Sequence, residues 1–580
     1  MITLTIDSEQ VTVQEDTTII EAAKLINIDI PHLCYFKGLQ PDGSCGICIV
    51  EIEGERGVAR SCIRPVLEGM KVHTNTPKLR AARKVLVELL MSNHPQECFT
   101  CERNQNCELL DLSSELGVKE VRFDKNVPTE KIDSSSPSII RDPNKCVLCG
   151  RCIRMCSEIQ SVGVIDLARR GPELKVTTFM EKGLGNVECI NCGQCIHVCP
   201  VAAIKEKSSV SDVWAAIGDK NKVVVVQEAP AVRVALGEEL GLPVGTLVTG
   251  KMHAALKKLG FGVVFDTNFS ADLTIMEEGT ELIGRIQGGG VLPMFTSCCP
   301  GWIKFVEHFY PELIPHLSSC KSPQQMFGAL AKTYYPKQTG IDPSKIVSVS
   351  IMPCTAKKFE AQRPEMRSSG YQDVDYVLTT REIARMIREA GIDFAALKDE
   401  PVDNLMGAYT GAATIFGATG GVMEAALRTA YKVITGNELE NIDIVPVRGL
   451  DGIRAATINV GSLEVKVAVA HGLRNARQLM EEVKSGKSPY HFIEVMACPG
   501  GCVGGGGQPL GFDISVRGQR GNGLYKEDKG LPFRRSHENT AVQKLYQDFL
   551  IKPLGEKSHH LLHTEYNARN GRTIQELAGT

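Results

Sequence analysis

The chain has 580 residues and a formal net charge of −3, and a chain of this length is expected to form about four domains of roughly 150 residues each. The charge gives no reason to expect nucleic acid or an anionic membrane surface as a partner, and no apolar run reaches the roughly 18 residues of a bilayer span. The first residues lack the basic and apolar regions of a signal peptide. Most of the 21 cysteines are therefore expected to be metal ligands in a reducing cytoplasm rather than partners in disulfides.

Residues 1–78 predict a small ferredoxin-like domain with a 2Fe-2S cluster. Apolar residues alternate over 2–6 and again over 11–13, the pattern of a two-stranded hairpin. Thr18 and Glu21 have the spacing of a capping box at the start of a short helix. Four cysteines follow in a glycine-rich loop, with a first spacing longer than that of plant-type ferredoxins. The predicted ligands are Cys34, Cys45, Cys48 and Cys62.

Residues 79–125 carry a second ligand set, which includes a histidine. A lone histidine beside a proline is usually a surface or packed residue, but His94 completes a set that otherwise has only three ligands. We therefore predict a 4Fe-4S cluster held by His94, Cys98, Cys101 and Cys107. The polar stretch 133–137, which ends in proline, is expected to be a linker.

Residues 138–208 contain two cysteine runs with the C-x2-C-x2-C-x3-C spacing of proteins that hold two 4Fe-4S clusters. In such proteins three cysteines of a run bind one cluster and the fourth binds the other. One cluster is assigned to Cys146, Cys149, Cys152 and Cys199, and the other to Cys156, Cys189, Cys192 and Cys195. Zinc is the weaker alternative, because a structural zinc site usually stops at two CxxC pairs.

Residues 209–515 have a different sequence pattern. Short apolar runs typical of strands alternate there with segments of helical periodicity. Strands are predicted over 223–226, 262–265, 291–295, 346–352, 465–470 and 492–496, and helices over 381–390 and 473–483. Such alternation is typical of parallel α/β sheets, in which ligands collect at the carboxyl ends of the strands.

Three loops at predicted strand ends, 296–302, 352–360 and 494–509, supply further thiols. Cys299, Cys354, Cys498 and Cys502 are enough for one more cubane. The glycine run 504–507 lacks the Gly-Lys-Ser/Thr of a phosphate-binding loop. A cofactor pressed against bare backbone is the better explanation of these glycines.

The residues of these three loops resemble the active-site motifs of a monomeric FeFe (iron-only) hydrogenase of the clostridial type. The resemblance extends over nearly the whole chain. The resemblance implies N-terminal ferredoxin-like iron–sulfur domains, an α/β catalytic domain whose parallel sheets enclose the active-site cluster, and a small-subunit-like segment over 516–580. It also implies an H-cluster, which is a 4Fe-4S cubane joined to a diiron unit that carries CO, cyanide and azadithiolate. With one 2Fe-2S and three accessory 4Fe-4S clusters, such a protein reversibly reduces protons to dihydrogen.

The resemblance also assigns roles to residues around the H-cluster. Cys502 bridges to the diiron unit, and the Cys298 thiol relays protons to the azadithiolate amine. Lys357 faces an anionic cyanide. The alternative interpretation is that Lys357 is an ordinary solvated lysine on the surface. The implied pocket residues are Ala229, Pro230, Pro323, Gln324, Met352, Phe416 and Met496. On spacing alone, the two methionines fit ordinary core positions equally well.

A proton route is implied through Glu278, Ser318, Glu281 and Arg285, with Ser319 as a second candidate relay. The alternative for this acidic helix is an exposed face of i,i+4 ion pairs. Glu277 points about 100° around the helix from Glu278. It is therefore expected to take no part in the proton route and to tolerate substitution by Gln. Cys320 is expected to be a small buried residue without a role.

The expected partners are ferredoxin or flavodoxin, together with maturation proteins for the diiron unit, and the chain is expected to be a monomer. Three alternatives stay open. The first 208 residues also resemble the iron–sulfur arm of respiratory complex I, which only transfers electrons. A hydrogenase-like iron–sulfur assembly protein would lack the thiol at Cys298. An electron-bifurcating hydrogenase complex would need partner subunits for flavin and NAD, because this chain has no fingerprint for either.

Overall fold

The computed structural model describes residues 1–461, 463–511 and 513–569. The chain forms two compact units, one of Met1–Val187 with Val198–Lys205, the other of Glu188–His197 with Glu206–Thr580. Within the described ranges, no helix combines the length and apolar character that a membrane crossing requires. The second cysteine run of residues 138–208 is thus divided between the units.

The N-terminal unit begins with a five-stranded sheet in the order β2-β1-β5-β3-β4. Its strands are β1 Ile2–Ile6, β2 Glu9–Val13, β3 Ile49–Ile52, β4 Ala59–Arg60 and β5 Lys71–His73. The predicted hairpin is confirmed by the antiparallel register that pairs Ile2 with Val13. The capping box of Thr18 and Glu21 is also present.

The rest of this unit consists of short elements around the cysteine loops. Its helices are α1 Ile19–Leu25, α2 Pro77–Ser92, α3 Glu108–Glu115 and α4 Arg151–Arg154, and its further strands are β6 Ile139–Arg141, β7 Ile165–Ala168, β8 Lys175–Thr178 and β9 Ile204–Glu206. The expected linker is packed instead, because Asp133 exchanges backbone hydrogen bonds of 2.8 and 2.9 Å with Arg141 and Ser136 is fully buried.

The C-terminal unit contains two four-stranded sheets. Their strands are β10 Val223–Glu228, β11 Val263–Asp266, β12 Met294–Phe295, β13 Ile346–Met352, β14 Tyr376–Thr379, β15 Ile453–Val460, β16 Leu463–His471 and β17 Phe492–Met496. The sheet β11-β10-β13-β14 is parallel throughout. In the sheet β12-β17-β16-β15, only β15 runs antiparallel to its neighbour.

The predicted parallel α/β architecture is therefore confirmed, with one shortened strand. The strand expected over 291–295 begins only at Met294, because Pro293 cannot donate a hydrogen bond to a sheet ladder. Strands over 346–352 and 492–496 have the predicted bounds.

Helices alternate with and follow these strands along the chain. They are α5 Gln194–Val198, α6 Val210–Gly218, α7 Leu236–Glu239, α8 Thr249–Leu259, α9 Thr267–Gly288, α10 Pro300–Phe309, α11 Pro323–Ala331, α12 Tyr334–Thr339, α13 Ala356–Ala361, α14 Thr380–Glu389, α15 Gly411–Thr414, α16 Gly421–Thr435, α17 Leu473–Lys484, α18 Ile514–Gly530, α19 Thr540–Leu545 and α20 Glu556–Leu562. The long helix α9 packs against α11 and α16. This packing buries most of its N-terminal half.

Candidate active site and metal centres

The three cysteine loops of the C-terminal unit converge on one cavity with about 740 Å³ of empty space. Each loop leaves the carboxyl end of a parallel strand, β12, β13 or β17, as the sequence predicted. The cavity is lined by the predicted cubane ligands Cys299, Cys354, Cys498 and Cys502.

These four thiols suit an iron–sulfur cubane. Cys354 and Cys498 are buried and the other two are half-buried. Burial raises the pKa of Cys354 to about 12 and that of Cys299 above its usual range. Ionising several buried thiols so close together is unfavourable, because the thiolates lose solvation and repel one another. The iron ions of a bound cluster would supply the positive charge that stabilises the thiolates. The donor set therefore fits the cubane that the resemblance implied.

The remaining cavity wall is largely apolar. It contains every implied pocket residue, namely Ala229, Pro230, Pro323, Gln324, Met352, Phe416 and Met496. Both methionines also pack in hydrophobic cores. The two interpretations of the methionines are thus compatible, since these side chains form the core on one side and the cavity wall on the other.

The glycine run 504–507 is explained mainly by contacts between backbones. A Cβ on Gly505 would overlap the carbonyl oxygen of Pro353, and one on Gly506 would overlap that of Cys192. Gly505 also lines the cavity, so the expected approach to a cofactor is only part of the reason. The glycines allow the loop of Cys192 to pack directly on the loop of Cys502.

Lys357 and Cys298 meet at the cavity wall. Lys357 Nζ donates hydrogen bonds to the Cys298 carbonyl at 3.1 Å and to Glu360 Oε2 at 2.8 Å. Although burial opposes the charge, the Glu360 carboxylate raises the pKa of Lys357 above its usual value, so the ammonium stays charged. The alternative of a solvated lysine is wrong, because Lys357 is buried. Burial, reinforced by the charge of Glu278, raises the pKa of the Cys298 thiol, which therefore keeps its proton.

The polar residues of helix α9 form a line that leads towards Cys298. Glu281 accepts hydrogen bonds from Arg285 Nη2 at 2.6 Å and from Ser318 Oγ at 3.0 Å. Glu278 is buried, and the Ser318 hydroxyl and the Ser297 amide lie near its carboxyl group. Burial, together with the charge of Glu281, raises the pKa of Glu278 to about 8. The alternative of an exposed ion-pair face is wrong, because the Glu281 and Arg285 side chains are only 12% and 16% exposed.

Glu277 has surroundings that helical periodicity did not indicate. It is fully buried and accepts hydrogen bonds from Tyr546 Oη at 2.6 Å and from Leu554 N at 2.8 Å. His563 Nε2 lies 3.1 Å from the same carboxylate. These partners come from the C-terminal segment, whose residues 570–580 lie outside the described part of the chain. Sequence reasoning missed them because no spacing pattern connects them to α9.

The first domain brings its four predicted ligands together. The thiol of Cys34 interacts with those of Cys45 and Cys62, and Cys62 also interacts with Cys48. Gly43 and Gly46 in this loop have φ angles of 71° and 69°, which glycine adopts without strain. The thiols thus have the proximity that a 2Fe-2S cluster requires.

Two further cavities of the N-terminal unit match predicted 4Fe-4S sites. One, of about 330 Å³, is lined by His94, Cys98, Cys101 and Cys107. His94 Nδ1 is buried and has no hydrogen-bond partner among the described residues, so it fits a metal-ligating nitrogen. The other, of about 430 Å³, is lined by Cys146, Cys149, Cys152 and Cys199.

The loop of Cys189, Cys192 and Cys195 packs against the active-site loop within the C-terminal unit. Gln194 Nε2 donates to the Gly504 carbonyl at 2.8 Å, and His197 Nε2 lies 2.8 Å from the Gly505 carbonyl. Cys192 is also close enough to Cys498 for their thiolates to repel each other. Cys156 as the fourth ligand of this cluster stays a prediction.

Known protein families match almost the whole chain in consecutive segments. Residues 222–506 match "Iron only hydrogenase large subunit, C-terminal domain", and residues 514–569 match "Iron hydrogenase small subunit". Residues 1–77 match a 2Fe-2S iron-sulfur cluster binding domain. Residues 83–122 match the NADH-ubiquinone oxidoreductase-G iron-sulfur binding region, and residues 141–203 match a 4Fe-4S dicluster domain.

Individual relatives extend over the same range. The chain is 49% identical to the NADP-reducing hydrogenase subunit HndD of Solidesulfovibrio fructosivorans, over 98% of this chain and 99% of that protein. It is 44% identical to iron hydrogenase 1 of Clostridium pasteurianum, over 98% of this chain and 100% of that protein. A solved variant of the FeFe-hydrogenase HydA1 from Chlamydomonas reinhardtii superposes with a TM-score of 0.57 and 44% identity, over 62% of this chain and 99% of that one.

Proposed function

The chain belongs to the iron-only hydrogenase family, and we propose that it catalyses the reversible reduction of protons to dihydrogen at an H-cluster. The observation that carries the proposal is the convergence of four ligand thiols, Cys298 and Lys357 on one largely apolar cavity. An electron-transfer subunit has no use for such a cavity. An iron–sulfur assembly protein has no need of the additional thiol at Cys298.

The H-cluster would be held by Cys299, Cys354, Cys498 and Cys502, with Cys502 joining the cubane to the diiron unit. When bound, this group supplies the irons and the bridging amine at which dihydrogen is formed or split. Lys357 offers a buried ammonium to an anionic cyanide. The apolar wall around Phe416 and Met352 excludes water and admits uncharged dihydrogen.

Protons would reach the cavity through ionisable groups in series. Arg285 and Ser318 hold the Glu281 carboxylate from two sides. Glu278, with its pKa raised to about 8 by burial and by Glu281, can take up and release a proton near neutral pH. The Cys298 thiol, which burial keeps protonated, would be the last donor on the protein.

Electrons would travel through one 2Fe-2S and three accessory 4Fe-4S clusters. The loop of Cys192, which packs on the active-site loop, would deliver them to the cubane. Ferredoxin, or flavodoxin in its place, would be the external electron partner. The full-length similarity to iron hydrogenase 1 supports a ferredoxin-type electron partner. Maturation proteins would insert the diiron unit, and the chain would act as a monomer.

A second assignment is the catalytic subunit of an electron-bifurcating complex. It is favoured by the 49% identity to a protein named as a subunit of an NADP-reducing hydrogenase. Partner subunits would then have to supply the flavin and nucleotide sites. Purification from the native cell distinguishes the two assignments, because a complex would elute far above the 63.2 kDa of this chain and would contain flavin.

The activity is tested by gas analysis with reduced methyl viologen as electron donor. We expect hydrogen evolution from protein matured with a diiron precursor and none from protein that carries only iron–sulfur clusters. Matured protein with CO and cyanide infrared bands but without hydrogen evolution or uptake would contradict the proposal.

A further inference from the structure

Two residues that the proposed function does not use, Cys320 and His563, lie close to Glu281 of helix α9. A carboxylate oxygen of Glu281, the Cys320 sulfur and His563 Nδ1 are all within 4.8 Å of one another, and the sulfur lies 3.9 Å from Nδ1. We propose that Glu281, Cys320 and His563 form a binding site for Zn²⁺, and that occupancy of this site blocks proton transfer through Glu281. The blocking effect rests on the proposed function, whereas the binding does not.

The donor set is one that zinc prefers. Thiolate, imidazole and carboxylate bind zinc at about 2.3, 2.0–2.1 and 2.0–2.2 Å, and three protein ligands with a water are a common arrangement. Tetrahedral geometry at these bond lengths separates the ligand atoms by roughly 3.4–3.7 Å. The 3.9 Å between Cys320 and His563 is already close to this value, so small side-chain rotations would complete the site.

A second observation points independently to a metal ligand at His563. Its other ring nitrogen, Nε2, lies 3.1 Å from the buried Glu277 carboxylate. This carboxylate is itself fixed by Tyr546 and by the Leu554 amide. A histidine that binds a metal typically donates its second N–H to such a carboxylate. That hydrogen bond leaves Nδ1 as the acceptor nitrogen, with the Ser319 hydroxyl 2.9 Å and the Cys320 sulfur 3.9 Å away.

The backbone holds the donors in register. Lys321 N donates to the Leu562 carbonyl at 2.8 Å, and Thr564 N donates to the Ser319 carbonyl at 2.8 Å, so Cys320 and His563 face each other across a short β-bridge. The Ser319 hydroxyl now connects Glu281 Oε2 at 3.2 Å with His563 Nδ1 at 2.9 Å. A metal would replace this hydroxyl between the same two groups, after the serine side chain rotates.

The local charge favours a cation. Burial, and then the carboxylates of Glu281, Glu278 and Glu277, raise the pKa of the Cys320 thiol. Zinc would therefore displace the thiol proton, and binding should strengthen as pH rises. Arg285 pairs with Oε1 of Glu281, whereas Oε2 accepts from Ser318 Oγ and from the amide and hydroxyl of Ser319, so a metal would take the place of these weaker donors at Oε2. Once bound to zinc, Oε2 could no longer exchange a proton with Ser318.

The test uses holoenzyme with complete clusters, titrated with zinc chloride under anaerobic conditions. We expect one additional zinc per chain after gel filtration, with one sulfur neighbour in the zinc X-ray absorption spectrum. Hydrogen evolution should fall at least tenfold at saturation, while the CO and cyanide infrared bands keep their intensity. Removal of the zinc with a chelator should restore activity.

Cys320→Ala and Cys320→Ser should keep hydrogen evolution without zinc and lose both the additional zinc and the inhibition. His559 is the matched control, because its exposed ring stacks on His563 at 4.8 Å without belonging to the donor set. His559→Ala should bind zinc and be inhibited like the wild type. Equal zinc content in wild type and both Cys320 variants, or no additional zinc in the wild type, would overturn the site. Zinc that binds through Cys320 without inhibition would support the site and overturn the proton route through Glu281.

Discussion

Ser318 Oγ lies 3.0 Å from Glu281 Oε2, across 37 residues of sequence. The serine is fixed by its own backbone amide, which donates to the Phe295 carbonyl at 2.8 Å, at the end of the strand that leads to Cys298. The glutamate belongs to helix α9. Ser318 therefore connects the helix that carries the acidic residues with Phe295, three residues before the Cys298 thiol.

Glu281→Gln and Glu278→Gln should each lower hydrogen evolution by about 10²–10⁴-fold, because an amide cannot take part in proton transfer. Iron content and the infrared bands should not change. Asp548→Asn is a suitable control, since Asp548 forms an exposed i,i+4 pair with Lys544, and exposed pairs of this kind contribute little to stability. Near-normal activity in both glutamine variants would place the proton route elsewhere. Glu277 cannot serve as the control, because it is buried and bonded to Tyr546.

Cys298→Ser should retain the H-cluster and lose nearly all turnover, because the thiol is proposed to pass protons without binding iron. Infrared spectra should show normal CO and cyanide bands. Cys298→Asp should retain more activity than the serine variant, since burial would raise the carboxyl pKa towards neutrality. Loss of the bands in the serine variant would instead identify Cys298 as a ligand or a structural support.

The pH dependence of activity should reflect Glu278, whose pKa burial and Glu281 raise to about 8. A protonated Glu278 can pass a proton inwards, so hydrogen evolution should decline as pH rises through about 8. Hydrogen oxidation needs the ionised carboxylate as acceptor and should increase over the same range. Profiles measured with viologen dyes in both directions test this, and an unchanged midpoint in the residual activity of Glu278→Gln would refute it.

Iron analysis tests the ligand sets directly. Apoprotein reconstituted anaerobically should bind about 18 iron atoms per chain if one 2Fe-2S cluster and four cubanes form. His94→Ala should lower this to about 14, because it removes one ligand of a cubane. The sets use all cysteines except Cys298 and Cys320, so Cys320→Ala should leave the iron content unchanged. About 14 iron atoms in the wild type would remove one cubane from the proposal.

Gly506→Ala should destabilise the active-site loop, because its Cβ would overlap the Cys192 carbonyl oxygen. Overpacking of this kind costs about 1–3 kcal/mol, and anaerobic thermal unfolding should show the loss. Gly284→Ala is the matched control, since nothing lies within 4 Å of its Cβ position in helix α9. That substitution should stabilise the protein by about 0.5–1 kcal/mol. Equal melting temperatures for the two variants would contradict the backbone contact.

The sequence alone was sufficient for features that depend on short spacings. Two residues between cysteines place their thiols on one tight loop, so the sets around Cys146 and Cys98 could be predicted without coordinates. The strand 346–352 was predicted with its final bounds, because a buried parallel strand is a continuous apolar run. The loop cysteines at strand ends followed from the general behaviour of parallel sheets.

Only the tertiary structure decided the features that depend on distant partners. Periodicity gives the angle of Glu277 around its helix, but His563, 286 residues away, decides that this face is buried. The glycines 505 and 506 indicated a close approach, and only the fold identified the neighbours as the backbones of Pro353 and Cys192. Hydrophobic and hydrogen-bonded packing between remote segments leaves no fixed spacing in the sequence, so only the folded chain brings Glu281, Cys320 and His563 together.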